Sequence, residues 1–302
     1  MEAIAGTNPV LVQLSTQSAD AVEKVAASIV LVDGRERQAA SGIVFAPDLV
    51  LTAAHVLEIE TPELETADGR RVKSKLVGLD RATDLAVLRA EGIGLDAPQL
   101  GEGTLRVGEY VLAVGRPSSG TPMASSGVIS SVGGPVRTRE GALLEKFLTT
   151  DARPYPGFSG GALVNLKGEV LGVMTSGLLG STAIAIPAQV AWRTAKALAE
   201  HGTIRRGYLG IGSQQVSLEG RKLGGRTQES GLLVVHVEEG GPASKAGVLV
   251  GDIVLGLDGQ AVLDSDALLA LLSGERVGKS VQVDVLRGEQ VVALHATIAE
   301  RK

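Results

Sequence analysis

Three side chains in the first two thirds of the chain carry groups that could act together. Ser159 stands in Gly-Phe-Ser-Gly-Gly, His55 ends the run LVLTAAH, and Asp84 precedes the apolar run LAVL. A hydroxyl that is to attack a carbonyl needs an imidazole to take its proton. A carboxylate must hold that imidazole in the right tautomer. Backbone N–H groups must face the oxyanion that forms. Glycines on both sides of Ser159 permit unusual backbone angles and close approach of a substrate. His55 is the only histidine before His201, and His236 and His295 lie beyond that. The small residues Ala53 and Ala54 let the chain turn sharply at His55. Taken singly, each residue has an ordinary alternative: a structural histidine, an aspartate in a turn, a serine in a glycine-rich turn.

Such groups need a rigid frame, and the sequence around them reads as short strands. SGIVFAPDLVLTAAHV is two apolar runs joined at Pro47 and Asp48, and ADGRRV carries an Asp68-Gly69 hairpin signal. Further apolar runs bounded by Gly, Pro, Asn or Asp follow to about residue 186, a spacing that predicts an all-β barrel or sandwich. A short helix is expected over residues 18–26. The pattern changes at Pro187, where PAQVAWRTAKALAEHG has proline near the first helical position and Gly202 just past the end. Val190, Ala191, Thr194 and Leu198 fall on one face of this expected helix.

Beyond it, VQVDVLR places Val281, Val283 and Val285 on one strand face. LDGQAV holds another Asp-Gly turn, and DSDALLALLS reads as a short helix with Leu268, Leu269, Leu271 and Leu272 on one side. The division expected is an N-terminal segment at 1–19, a first domain at 20–203 and a second, mixed domain at 204–302.

Composition agrees with a packed, turn-rich chain. Of 302 residues, 44% are hydrophobic and 2% aromatic, so the core must be built from Val, Leu, Ile and Ala. There are 40 glycines, well above the usual share of roughly 7%. The net charge of −5 and the lack of a long basic block argue against a nucleic-acid partner. With no cysteine, disulfides, thiol nucleophiles and thiolate metal sites are excluded. No clustered His/Asp/Glu ligand set stands out, so no metal or cofactor is expected. The N-terminus has no basic n-region, and its apolar run PVLVQL is too short for a signal or membrane segment. Either the protein has no export signal or the sequence begins after one.

Read in order, TAAH, TDLAVL and TDA…PGFSGGALVN resemble the HtrA/Deg branch of trypsin-like serine proteases. His55, Asp84 and Ser159 are 29 and 75 residues apart, intervals similar to that family's. The resemblance covers about residues 20–200. It implies a mainly β fold, a trypsin-like double β-barrel with the site in the cleft between barrels. It further implies His55 as base and then acid, Asp84 as its orienter and Ser159 as nucleophile. The backbone N–H groups of Gly157 and Ser159 would form the oxyanion hole.

The sequence departs from the family at Phe158, where Asn is common, and at Arg153, Pro154 and Tyr155. That loop shapes the specificity pocket, with Met174, Thr175, Ser176 and Gly177 as a further wall. Met174 and Leu178 would keep the pocket apolar, whereas Arg153 could reach its base. The loop DGRERQAASG has no room for the long regulatory insertion of some relatives.

In the second domain, RRGYLGI and the later GGPASKAGVLVGDIVLGLDGQAV resemble a single PDZ domain, a small α+β unit. Gly207, Tyr208, Leu209, Gly210 and Ile211 would form its carboxylate-binding loop. A peptide would add as a strand near Tyr208 to Ile211, its terminal carboxylate meeting backbone N–H groups.

The family implies an ATP-independent endopeptidase of protein quality control, outside the cytoplasm, trimeric through its N-terminal part and acting on unfolded or damaged proteins. The alternative is a catalytically silent or ligand-activated scaffold serving as a chaperone or peptide-binding adaptor.

Overall fold

The structure, a computed structural model, describes residues 8–36, 38–134, 136–138, 143–144, 146–179, 182–204, 207–219, 223, 225, 227–272 and 276–300. Residues 1–7 of the expected N-terminal segment lie outside the described residues, as do Arg205 and Arg206 of the RRGYLGI motif. Two compact units are present, divided between Ile204 and Arg205.

The first unit opens with a helix, Pro9–Ala26, twice the length of the short helix expected from residue 18. Its start is set by Asn8, whose side chain accepts the Val10 N–H, with proline following at the first helical position. Ala21, Val25 and Ala26 are buried, while Val10, Leu11 and Val12 are exposed at 67%, 61% and 48%. The first turns therefore carry no apolar stripe against the core, which is why periodicity reveals only the second half of the helix.

A seven-stranded antiparallel sheet follows. Its order is Arg71–Lys73, Glu63–Glu65, Ile29–Asp33, Ala40–Ala46, Leu49–Ala53, Leu85–Arg89 and Lys75–Asp80. Val30, Val32, Val44, Val50, Leu64, Leu88 and Ile93 pack together in it. The Pro47–Asp48 turn joins Ala40–Ala46 to Leu49–Ala53 as expected, with Asp48 at φ 57°. The Asp68-Gly69 signal sits in the turn between Glu63–Glu65 and Arg71–Lys73.

The second sheet closes into a six-stranded barrel, ordered Phe147–Thr150, Thr182–Pro187, Val170–Leu179, Ala162–Val164, Tyr110–Gly115 and Met123–Gly133. Closure leaves no free sheet edge. Val111, Ala113, Ile129, Leu148 and Leu163 are buried in it with Phe158 and Met174. Helix Ala188–His201 ends the unit. Gly202, at φ 75°, caps it through an N–H bond to the Leu198 carbonyl. Its buried face is Ala188, Ala191, Ala195 and Leu198, so Val190 and Thr194 flank the face they were expected to share.

The second unit is built on a five-strand path: Ile211–Ser217, Ser230–Val237, Ile253–Leu257, Ser280–Arg287 and Gln290–Thr297. Val281, Val283 and Val285 are buried, as their alternation predicts. Asp258 and Gly259 both take positive φ, the geometry of a tight hairpin turn, between Ile253–Leu257 and Gln260–Ala261. Helix Ser265–Leu272 buries Leu268 and Leu272.

Candidate active site

Strand register brings the base and the carboxylate together. Leu49–Ala53 pairs with Leu85–Arg89, placing Ala53 opposite Leu85. One step beyond this pair on each strand, the Ala54 N–H donates to the Asp84 carbonyl at 3.0 Å. His55 lies in the single-turn helix Ala54–Val56 that ends its strand. Asp84 holds a left-handed backbone, φ 54°, a conformation Asp tolerates better than most residues. The turn before it is shaped by Asp80, which accepts from the Ala82 N–H and from the N–H and hydroxyl of Thr83.

His55 Nδ1 is 2.6 Å from Asp84 Oδ2, and the His55 backbone N–H donates to Asp84 Oδ1 at 2.8 Å. Thr175 donates its hydroxyl to Asp84 Oδ2 as well. The carboxylate is 5% exposed and the imidazole 29%, so the orienting group is shielded and the reacting ring is reachable. Buried carboxylates need this kind of satisfaction, and here every donor is provided by the fold.

Ser159 sits at the far end of a tight turn. The Phe158 N–H donates to the Tyr155 carbonyl at 3.0 Å around Pro156 and Gly157, and Gly157 has φ 87°. A side chain at Gly157 would meet Pro117 Cβ at 2.5 Å and the Ala39 carbonyl at 2.8 Å. The next N–H groups are used: Gly160 to the Met174 carbonyl, Gly161 to the Phe158 carbonyl, both at 2.8 Å. Among the described residues, the N–H groups of Gly157 and Ser159 donate to no protein acceptor. These are the two groups that the resemblance assigns to the oxyanion.

Phe158 turns inward. It is 1% exposed and packs in the barrel core with Met174, its ring edge-on to Tyr155 at 5.5 Å between centroids. The aromatic residue at this position therefore anchors the loop in the barrel. The Ser159 hydroxyl lies 3.2 Å from that of Ser176 and makes no hydrogen bond to His55. Catalytic hydrogen bonds are often long before substrate binds.

A cavity of about 370 Å³ opens over these residues, lined by His55, Gly157, Ser159, Pro154, Met174, Thr175 and Ser176 among others. Arg153 and Gly177 are not part of its lining. Arg153 is exposed, with its guanidinium over the Tyr155 ring, 5.4 Å from the centroid. Gly177 backs the base instead: a Cβ there would meet Asp84 Oδ2 at 2.6 Å and His55 Nδ1 at 2.8 Å.

Sequence reading missed Arg35 and Gln38, which line the same cavity from the loop after Asp33. It also missed Ser41 and Thr52, which are fully buried. Thr52 donates to the Ser41 carbonyl at 2.7 Å. No local signal marks these hydroxyls, since they sit in ordinary strand positions. Among the described residues there is no group of three or more His, Cys, Asp or Glu able to hold a metal.

In the second unit, Ile211–Ser217 is the edge strand of its sheet. Gly207 and Tyr208 pair with Ala299–Glu300, so the backbone of these two is taken up in a small sheet of its own. Leu209 and Gly210 form the link to the edge strand. Gly210 has φ 77°, and among the described residues neither of their N–H groups has a protein acceptor.

Residues 40–173 match the trypsin-like peptidase domain family, and residues 207–298 match the PDZ domain family. Similar curated proteins include a probable periplasmic serine endoprotease, DegP-like, of Ectopseudomonas mendocina (strain ymp). It is 36% identical over 276 residues, covering 88% of this chain and 58% of the relative. A protein of the same name in Halomonas elongata is 36% identical over 272 residues, 87% of this chain and 57% of its own. The chain thus spans somewhat over half the length of these curated relatives.

Among solved structures, the serine endoprotease from Yersinia pestis aligns with a TM-score of 0.75 at 31% identity, over 94% of this chain and 98% of its own. The HtrA-type protease AlgW with tripeptide aligns with a TM-score of 0.77 at 32% identity, over 94% and 97%. Fold and site thus define a trypsin-like peptidase domain followed by one PDZ domain. The chain belongs to the HtrA family of serine proteases.

Proposed function

We propose that the protein is an ATP-independent serine endopeptidase that cleaves unfolded or damaged proteins. The observation that carries this is the Asp84–His55 pair beside Ser159, with two unpaired N–H groups in the serine's own loop. In this reading His55 takes the Ser159 proton as Oγ attacks the scissile carbonyl carbon. The oxyanion is held by the N–H groups of Gly157 and Ser159. His55 then gives its proton to the leaving amine, and water resolves the acyl-enzyme by the same steps. Pro154, Met174, Thr175 and Ser176 form the pocket for the residue before the cut.

The second unit binds C-terminal or exposed apolar peptide segments on the edge strand Ile211–Ser217, with the terminal carboxylate at Leu209, Gly210 and Ile211. The curated relatives named periplasmic support a place outside the cytoplasm. The exposed Val10, Leu11 and Val12 support self-association, as a trimer by family analogy, which light scattering tests.

A fluorophosphonate probe should label Ser159 in the parent protein and fail on Ser159→Ala, with casein cleavage lost in parallel. A folded parent that neither labels nor cleaves would sink the reading and favour the adaptor alternative.

A further inference from the structure

We infer that Ser41 is a positioning residue for the oxyanion hole, holding the Gly157–Ser159 backbone so that its two free N–H groups keep their direction. The inference rests on the reading of Ser159 as nucleophile.

Ser41 lies on strand Ala40–Ala46 of the seven-stranded sheet and is fully buried. Its hydroxyl donates to the Gly157 carbonyl at 2.8 Å and accepts the Arg116 N–H at 2.8 Å. Its own N–H donates to the Ser159 carbonyl at 3.1 Å. One residue of the first sheet therefore grips the serine loop on both sides of Phe158.

Peptide groups are rigid planes, so each hydrogen bond orients a whole unit. The Gly157–Phe158 plane is held at both ends, by Ser41 at its carbonyl and by the Tyr155 carbonyl at its N–H. The Phe158–Ser159 plane is held by the Gly161 N–H on its carbonyl. The Ser159–Gly160 plane is held by Ser41 and by the Met174 carbonyl. Only the Pro156–Gly157 plane has no bond of its own among the described residues. That plane carries the Gly157 N–H. Its direction is coupled, through the Gly157 torsions, to the neighbouring plane that Ser41 clamps.

Arg116 supports the clamp from behind. Its side chain is 1% exposed and spends its donors on carbonyls: Nε on Ile29 at 3.0 Å, Nη2 on Ala26 at 3.2 Å, Nη1 on Gly120. Removing the Ser41 hydroxyl would leave the Arg116 N–H and the Gly157 carbonyl both buried and unpaired.

The test compares the parent, Ser41→Ala and Ser41→Thr on a peptide amide substrate. It adds the affinity of a peptide aldehyde, whose adduct places an oxygen in the hole, and of the same peptide lacking the aldehyde. Ser41→Ala should lower kcat about 10- to 100-fold, short of the roughly 10²–10³ that outright loss of a donor costs. KM should stay near the parent value. Aldehyde affinity should fall with kcat while the plain peptide binds as before. Ser41→Thr, which keeps the hydroxyl, should recover most of the loss. If Ser41→Ala does not fold, Ser41→Cys fills the site with a slightly larger group and a weak donor, and should show the same split in smaller measure.

An unchanged kcat in the folded variant, or a loss carried by KM and plain peptide alike, would overturn the inference. An inactive parent would instead overturn the reading beneath it.

Discussion

Asp84 grips His55 twice: Oδ2 lies 2.6 Å from the ring Nδ1, and Oδ1 accepts the His55 backbone N–H at 2.8 Å. The ring is thus tied through its side chain and its main chain to one carboxylate. Asp84→Asn would present a donor to Nδ1 and favour the wrong tautomer. We expect kcat to fall about 10⁴-fold with little change in KM. Thr175→Ala removes one further donor to Asp84 and should cost roughly tenfold. Steady-state kinetics on one peptide substrate decides both, and a larger loss from Thr175→Ala than from Asp84→Asn would contradict the assignment.

Gly157 has no room for a side chain and sits at φ 87°. Gly157→Ala should push the turn off Pro117 and Ala39 and spoil one oxyanion donor. The expected loss is about 10²–10³ in kcat. Peptide binding by the second unit should not change, which separates a local defect from unfolding. Retention of parent-like kcat would remove Gly157 from the hole.

The free N–H groups at Leu209 and Gly210 predict that a ligand's terminal carboxylate matters. In Ser159→Ala protein, which spares the peptide from cleavage, amidating the peptide C-terminus should weaken binding by about tenfold or more. Fluorescence polarisation reads this directly. Equal affinity for acid and amide would place recognition elsewhere.

Asp252 is 2% exposed and receives both Nε and Nη2 of Arg287 at 2.8 Å. Burial opposes its charge, yet the Arg287 hydrogen bonds and the Leu249 N–H outweigh it and hold the carboxyl below its usual value. A carboxyl depressed on folding contributes stability above its unfolded pKa and loses it as pH falls through the folded one. Asp252→Asn should therefore destabilise the second unit at neutral pH. The cost is about 2 kcal/mol, less than for a fully buried pair because the Arg287 side chain is 37% exposed. The variant's loss of stability between neutral and acid pH should be shallower than the parent's. Denaturant melts across that range measure it, and parallel curves would refute the role of the pair.

Much of the fold was legible because its signals are local. Pro187 and Gly202 bracket helix Ala188–His201 by backbone chemistry alone, and Asp258-Gly259 marks its hairpin by the φ angles it tolerates. Helix Pro9–Ala26 was half hidden, since its first turns are exposed and show no apolar stripe. Gly177 and Thr175 were read as walls of a pocket. Thr175 lines the cavity and also bonds Asp84, whereas Gly177 lies outside the lining and crowds the Asp84–His55 pair, a difference that a one-dimensional pattern cannot show.

The sequence by itself determined which groups were available: His55, Asp84 and the glycine-flanked Ser159 in a strand-rich chain, then a second motif set. Residue type and turn chemistry act over a few positions, so they can be read in one dimension. Tertiary structure alone decided how those groups are held. Ser41 meets Gly157 across 116 residues and Thr175 meets Asp84 across 91. Contacts of that span follow from strand register and barrel closure. They depend on buried hydroxyls finding partners that no neighbouring residue announces.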